Sequence, residues 1–299
     1  MNLRQLEYFV AVAEELNFTR AAARCHVAQS ALSYQIAALE RAHGVALFER
    51  TSRSVRLAPA GGLLLPRARR ILAEIEDAGS ELAALSGVLT GRLRIGMISS
   101  TAQVAPAVER TLAVLHHRHP GVEIVIQDTG SHRMAEQVRA GELDVAFVGL
   151  FGEQVPADLV HRVLVDEPLV AVVDRGHPLA GRRTIGVAEL AGHGPFVEMR
   201  AESGLRRQVD AAVARAGATR AIAFELGTSQ SVVRFVGLGF GIAVVPRSAA
   251  TGEDVAVIEL DDPDARHPIG LLHLQPQPSA PAARAFLALL GPAPDPVRR

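Results

Sequence analysis

The sequence predicts a mixed α/β fold with a small helical N-terminal part, a long helix and a larger α/β region. Three observations support this prediction. Apolar residues recur at helical spacing through residues 3–43, and a regular 4-3 apolar spacing continues from Leu64 to Leu85. From residue 91 onward, short apolar strands alternate with helices, which is typical of an α/β sheet covered on both faces.

The first helix is predicted over residues 3–15, where the apolar positions are Leu3, Leu6, Phe9, Val10 and Ala13. A second helix follows, and either Asn17 or Thr19 can cap its N-terminus. Its alanine run allows another helix to cross closely. Residues 25–27 form the turn that leads into a third helix.

The third helix is predicted from Gln29 to about His43, and Gly44 ends it. Its inner face carries Leu32, Ile36 and Leu39. Glutamine can read adenine through two hydrogen bonds, and serine can reach a purine or a phosphate. The first turns therefore predict a face that enters the major groove of DNA. We assign to it Thr19, Gln29, Ser30, Ser33 and Tyr34.

A short hairpin is predicted at residues 45–57. Between Arg50 and Arg70 there are six arginines and no acidic residue, although the chain as a whole has 31 basic and 32 acidic residues. The alternative is that this block is only a solvated face. Its position beside the third helix favours contact with phosphates or the minor groove through Arg50, Arg53 and Arg56.

One ordered pattern runs through the first sixty residues and consists of Phe9–Glu14, Asn17–Ala22, Gln29–Ser33, Gln35–Ile36, Leu39–Glu40 and Leu47–Arg50. On these segments, residues 1–60 resemble the winged helix-turn-helix of LysR-type transcriptional regulators. Two residues depart from the family pattern: Cys25 stands where leucine is usual, and Tyr34 stands where arginine is frequent.

A linker helix is predicted from about Pro59 to Ser86. Its apolar seam consists of Leu64, Ala68, Ile71, Ile75, Ala78, Leu82 and Leu85. This spacing favours a coiled coil with a second copy, and the resemblance implies the same. The alternative is an amphipathic helix packed on a globular core. Pro66 predicts a kink near the start of the helix.

Residues 91–299 resemble the effector domain of the same family, which is similar to periplasmic solute-binding proteins. The run Phe235–Pro246 is the clearest match. The expected domains are residues 1–58, a linker at 59–90 and an effector-binding domain at 91–299. The resemblance divides the last into lobe I (91–162 and 267–299) and lobe II (163–266).

Ligands bind beyond the carboxyl ends of strands in such sheets. Hydroxyls and free N–H groups at helix starts suit a carboxylate or another anion. The alternative for each serine or threonine is a simple helix cap. The predicted effector residues are Ser99, Ser100, Thr101, Thr129, Ser131, Gly149, Phe151, Met199, Arg200, Ser203 and Thr228.

The remaining histidines, glycines and the single cysteine do not form a recognisable metal-binding, dinucleotide-binding or catalytic motif. His116, His117 and His119 have no nearby cysteine or acid to complete a metal site. The glycines at 237, 239 and 241 follow a helix and precede a strand, the wrong order for a dinucleotide fingerprint. We expect no metal, cofactor or catalytic residue. Cys25 is the only cysteine, so we expect a reducing compartment and a structural rather than a redox role.

The sequence thus indicates a cytoplasmic regulator without a membrane segment. The resemblance implies double-stranded DNA with an interrupted palindrome as the target, a small-molecule effector, a homodimer or homotetramer, and contact with RNA polymerase. A rival interpretation is a solute-binding or enzymatic α/β protein with an incidental helical head. A third is a regulator whose pocket binds nothing.

Overall fold

The computed structural model describes residues 1–50, 54–85, 88–98, 105–150 and 155–291. The N-terminal head consists of α1 (Leu3–Glu15), α2 (Phe18–Arg24), α3 (Gln29–His43), β1 (Phe48–Arg50) and β2 (Val55–Leu57). The three helices and the hairpin are as predicted. Asn17 caps α2 by accepting the N–H groups of Thr19 and Arg20. Gly44 ends α3 with a φ of 65°, in the left-handed region that glycine adopts without strain.

The head encloses its own apolar core. Phe9, Leu32 and Ile36 are fully buried. The ring of Phe48 from β1 lies 5.4 Å from Phe9 and 5.8 Å from Phe18, so the hairpin is anchored to the helices. This core fixes the orientation of α3 and leaves its polar face outside.

The linker helix α4 (Pro59–Leu85) is continuous and contains Pro66. The predicted seam divides in two. Leu64 and Ala68 pack into the core of the head, because α4 lies against α1 there. Beyond them, Ile71, Ile75, Leu82 and Leu85 are 41–86% exposed.

Lobe I begins with the parallel order β4-β3-β5. Its elements are β3 (Gly91–Met97), α5 (Ala105–Arg118), β4 (Val122–Gln127), α6 (Ser131–Arg139) and β5 (Val145–Val148). Two long strands then connect the lobes: β6 (Leu159–Asp174) and β12 (Arg266–Leu274). The first part of β6 pairs with β12, and its last part pairs with strands of lobe II.

The sequence predicted only residues 169–173 of β6, because the preceding residues mix polar and apolar side chains on a half-exposed surface. Pairing with β12 is what makes them a strand. The remaining elements are β7 (Thr184–Ile185), α7 (Val187–Ala191), β8 (Phe196–Met199), α8 (Gly204–Arg215), β9 (Ile222–Leu226), α9 (Ser229–Gly237), β10 (Ala243–Pro246), β11 (Val255–Leu260) and α10 (Pro281–Leu290). Among the described residues, no helix is both long and apolar enough to cross a membrane.

Candidate functional site

The exposed face of α3 is a polar surface on a rigid base. We call Gln29, Ser30, Ser33 and Tyr34 the reading face. Tyr34 is 64% exposed, while Leu32 and Ile36 on the opposite side are fully buried. The amide of Gln29 donates to Ser33 Oγ at 2.9 Å. Ala28 at the N-cap makes no side-chain hydrogen bond, so the first N–H groups of α3 remain open.

Glu40 holds the hairpin beside α3. Its Oε1 accepts the N–H groups of Leu47 at 2.9 Å and Phe48 at 3.2 Å, and its Oε2 accepts from Arg50 at 3.1 Å. The guanidinium of Arg50 also lies over the ring of Phe18, 4.3 Å from its centroid. Arg50 is therefore fixed within the head.

The other predicted residues of the head differ in their exposure to solvent. Thr19 is exposed in the first turn of α2, and Arg56 is exposed on β2 opposite Glu49. Arg53 lies outside the described residues. Cys25 is partly buried in the head, where burial raises the pKa of its thiol despite the opposing charge of Arg24. A raised pKa disfavours the reactive thiolate.

A cavity of about 480 Å³ lies between the two lobes, and we call it the cleft. Six of the predicted effector residues line it: Thr129, Ser131, Met199, Arg200, Ser203 and Thr228. Thr129 and Ser131, which follow β4 of lobe I, thus meet residues that follow β8 and β9 of lobe II, as the strand-end argument expected.

Within the described part of the chain, three helices begin at the cleft. Gly130 precedes α6, Ser203 precedes α8 and Thr228 precedes α9. Neither Gly130 nor Ser203 provides a side-chain cap for its helix. The partial positive charges of the helix N-termini therefore converge on one cavity.

Arg200 adds a full positive charge to the cleft. Its guanidinium lies on the backbone of Gly227, where an added Cβ would stand 2.8 Å from Nη2. Among the described residues, no carboxylate lies within salt-bridge distance of Arg200 (the ion pairs of lobe II involve other arginines). A side chain at position 227 would displace the guanidinium of Arg200 from this wall.

The hydroxyl groups of the cleft differ in what they already bind. Thr228 is a cap, since its Oγ1 accepts from the N–H of Ser231 at 3.2 Å. Ser131 is buried and accepts from the N–H of Gly149 at 3.1 Å. Ser203 makes no capping bond. The cap alternative therefore holds for Thr228, while Ser203 keeps its hydroxyl for another partner.

Gly149 lies beneath the cleft rather than on its wall. Its carbonyl accepts from Gln208 Nε2 at 3.1 Å, and Gln208 Oε1 lies 2.5 Å from Nδ1 of His267. This network joins β5, α8 and β12. His267 is fully buried, and burial lowers its pKa to about 4, so the ring is neutral at neutral pH.

Sequence reasoning missed several residues of the cleft wall and named Gly149, which lies beneath it. The missed wall residues are Ile98, Asp128, Gly130, Glu202 and Gly227. All five adjoin a predicted strand end or a predicted site residue, which is the feature that could have identified them. Ser99, Ser100, Thr101 and Phe151 lie outside the described residues.

No group of three metal-ligating side chains occurs in the described ranges. His116 and His117 diverge, with ring centroids 6.1 Å apart and ring planes at 81°. His117 Nδ1 instead lies 2.6 Å from the carbonyl of Ala113, one turn earlier in α5.

Comparison with known proteins assigns both halves of the chain. A family model described as "Bacterial regulatory helix-turn-helix protein, lysR family" matches residues 3–62, and one described as "LysR substrate binding domain" matches residues 86–294. The uncharacterized HTH-type transcriptional regulator YnfL of Escherichia coli (strain K12) is 35% identical over 290 residues, covering 96% of each chain.

Two solved structures are similar over nearly the whole length. A full-length, singly substituted OxyR from Pseudomonas aeruginosa has a TM-score of 0.72 at 26% identity, covering 97% of this chain and 93% of that chain. Full-length CbnR complexed with its target DNA has a TM-score of 0.65 at 25% identity, covering 97% and 99% respectively.

Proposed function

Because this chain belongs to the LysR family of bacterial DNA-binding transcriptional regulators, we propose that its effector is a small carboxylate bound in the cleft. Its relatives are transcriptional regulators and not enzymes, so the enzymatic alternative loses its support. The observation that carries the proposal is the convergence of three helix N-termini with Arg200. A carboxylate there is stabilised by a cation, by backbone N–H groups and by the hydroxyl of Ser203.

The acidic residues of the cleft narrow the position of the carboxylate. Asp128 and Glu202 also line the wall, and either would repel an anion at close range. We therefore place the carboxylate directly beside Arg200, the cation that offsets this repulsion. The volume of about 480 Å³ suits a small molecule rather than a peptide or a sugar chain.

For the operator we propose that α3 lies in the major groove, with the reading face on base edges and its open N–H groups near a phosphate. Thr19, Arg53 and Arg56 then contact the backbone. Arg50 adds its charge from the position that Glu40 fixes.

Two copies are proposed to pair through the exposed half of the seam on α4, which would hide Ile71, Ile75, Leu82 and Leu85 from water. A dimer with two reading faces fits an interrupted palindrome. Further pairing into a tetramer and contact with RNA polymerase would then convert effector binding into promoter output.

The effector is tested by thermal unfolding of the full-length protein against a panel of small mono- and dicarboxylates, with the uncharged amide of each as its control. We expect at least one acid to raise Tm in the wild type and not in Arg200→Gln. Arg183→Gln removes an exposed arginine elsewhere in lobe II and should retain the response. If no acid raises Tm, or if Arg200→Gln responds fully, the carboxylate proposal is wrong.

The operator is tested by capturing genomic fragments with the purified wild-type protein and footprinting the best one. Protection of two half-sites related by a palindrome supports the proposed dimer. Binding without sequence preference would contradict the proposed reading face.

A further inference from the structure

A chain of polar contacts leads away from the cleft. The hydroxyl of Thr129, on the cleft wall, donates to Oε1 of Gln137 at 2.6 Å. The amide nitrogen of Gln137 points on to Oε2 of Glu142 at 3.4 Å. Two hydrogen bonds within lobe I therefore connect Thr129 on the cleft wall to the side chain of Glu142.

Arg69 of the linker helix continues the chain. Its Nη1 donates to Oε1 of Glu142 at 2.5 Å, while its Nε and Nη2 donate to Oε1 of Glu14 at 3.2 and 2.9 Å. Burial alone would lower the pKa of Arg69, yet the hydrogen bonds and charges of the two glutamates raise it. One guanidinium is thus shared between the effector domain and the first helix of the head.

Glu14 also binds a second helix of the head. Its Oε2 accepts from Nη1 of Arg24 in α2 at 2.7 Å. A cavity of about 330 Å³ at this joint is lined by Glu14, Arg24, Arg69, Gln137 and Glu142, which leaves these side chains room to change partners.

We propose that Thr129, Gln137, Glu142, Arg69 and Glu14 form a polar relay that transmits the occupancy of the cleft to the DNA-binding head. The inference rests on the proposed function, because it needs the cleft to be the effector site. The hydroxyl of Thr129 has one proton, so an effector that accepts it takes it away from Gln137. The released amide then turns, Glu142 loses its neighbour, and Arg69 shifts toward Glu14.

The relay depends on the arrangement of its side chains and not on the stability that any single ion pair contributes. Isolated surface ion pairs contribute little to stability. Here the side chains of Arg69, Glu142 and Glu14 are only 26%, 17% and 29% exposed and share hydrogen bonds in one network. A small change at one end therefore requires a new arrangement at the next contact.

The relay is tested with the full-length protein and its operator fragment, with no effector added. Thr129→Val removes the hydroxyl and keeps the shape, and Glu142→Gln removes the charge. We expect each variant to change the operator Kd by about fivefold or more in the same direction. The double variant should change it no further, because both substitutions break one connection.

Two control variants match these changes outside the relay. Thr111→Val removes a hydroxyl that donates to the carbonyl of Ala107 within α5, and Asp158→Asn removes the charge from the exposed Arg139–Asp158 pair of lobe I. Both should leave the operator Kd unchanged. Additive effects, or no effect, of Thr129→Val and Glu142→Gln would overturn the relay while the wild type still binds its operator.

Amide hydrogen exchange of α1 in the absence of DNA separates the two proposals. If the wild type selects no operator, the proposed function fails, and the relay is then judged by exchange alone. We expect faster exchange in α1 of Thr129→Val and Glu142→Gln than in α1 of the controls. Equal exchange in all of them would overturn the relay.

Discussion

The start of α3 and the helix starts at the cleft use the same physics on surfaces of opposite shape. At α3, the N-cap residue Ala28 is exposed and provides no side-chain cap, so open N–H groups project from a convex surface. At the cleft, α6 and α8 also lack side-chain caps, but Gly204 is buried and the N–H groups face a cavity. Both surfaces favour an anion.

Shape therefore decides which anion each surface can hold. A convex polar face can approach a long polyanion and read the groups beside it. A cavity that already contains Arg200 can enclose a single small anion and exclude a polymer. The comparison teaches that an open helix N-terminus specifies charge, while the surrounding packing specifies the ligand.

Salt should separate the two surfaces most strongly. Operator affinity is expected to fall by about a thousandfold between roughly 50 mM and 200 mM salt, because several phosphate contacts release counterions. Affinity for a carboxylate in the cleft should change by less than about threefold, since it involves one charge. Titrations of labelled operator and calorimetry of the acid measure the two slopes. An equal dependence of both affinities on salt would contradict the claim that the two surfaces bind different kinds of anion.

A negative charge on the reading face should abolish operator recognition and spare the cleft. Ser30→Glu is expected to weaken operator binding by about a hundredfold, through repulsion of phosphates and loss of a base contact. Thr251→Glu, an equal change at an exposed site of lobe II, should bind the operator normally. The carboxylate-induced rise in Tm should persist in both variants. Normal operator binding by Ser30→Glu would remove α3 from the interface.

An added methyl group should be tolerated differently at the buried start of α8 and on the exposed side of α4. Gly204→Ala would place Cβ 2.5 Å from the carbonyl of Gly149, and we expect a loss of about 1–3 kcal/mol in the free energy of unfolding. Gly62→Ala in α4 meets nothing within 4 Å and should instead stabilise the helix by about 0.5–1 kcal/mol. Urea unfolding of both variants measures the contrast. A neutral Gly204→Ala would mean that the lobes are loosely packed there.

Acid should loosen the base of the cleft. The pKa of His267 is lowered from 6.5 to about 4, so its stabilising contribution is complete above pH 6.5 and falls as the pH approaches 4. Between pH 6.5 and pH 5.5 the loss from this residue is about 1 kcal/mol. The pKa values of His132 and His161 are also lowered by burial, so they contribute with the same sign.

The measurement is the pH dependence of Tm in His267→Asn, which cannot take up this proton. We expect a shallower slope than in the wild type, while Thr251→Asn, a change at an exposed residue that does not titrate, keeps the wild-type slope. An unchanged slope in His267→Asn would mean that the buried ring does not control the acid response.

The sequence alone predicted the elements whose cause is local. Helical spacing, the choice of Asn17 or Thr19 as a cap and the helix end at Gly44 depend on residues within a few positions of the structures they produce, and Asn17 is the cap. The strand-end rule also predicted the six cleft residues, because the polarity of a parallel sheet fixes where loops emerge. The packing of the two lobes against each other then brought these six residues to one cavity.

Only the tertiary structure decided the features that join distant segments. Glu40 and Phe18 fix Arg50, Ala68 is buried in the head rather than left on the seam, and β6 extends through Pro168 because β12 pairs with it. The contact of Arg69 with Glu14 and Glu142 spans 55 and 73 positions of the chain. Local periodicity carries no information about such separations, since which faces meet depends on how complete helices and sheets pack together.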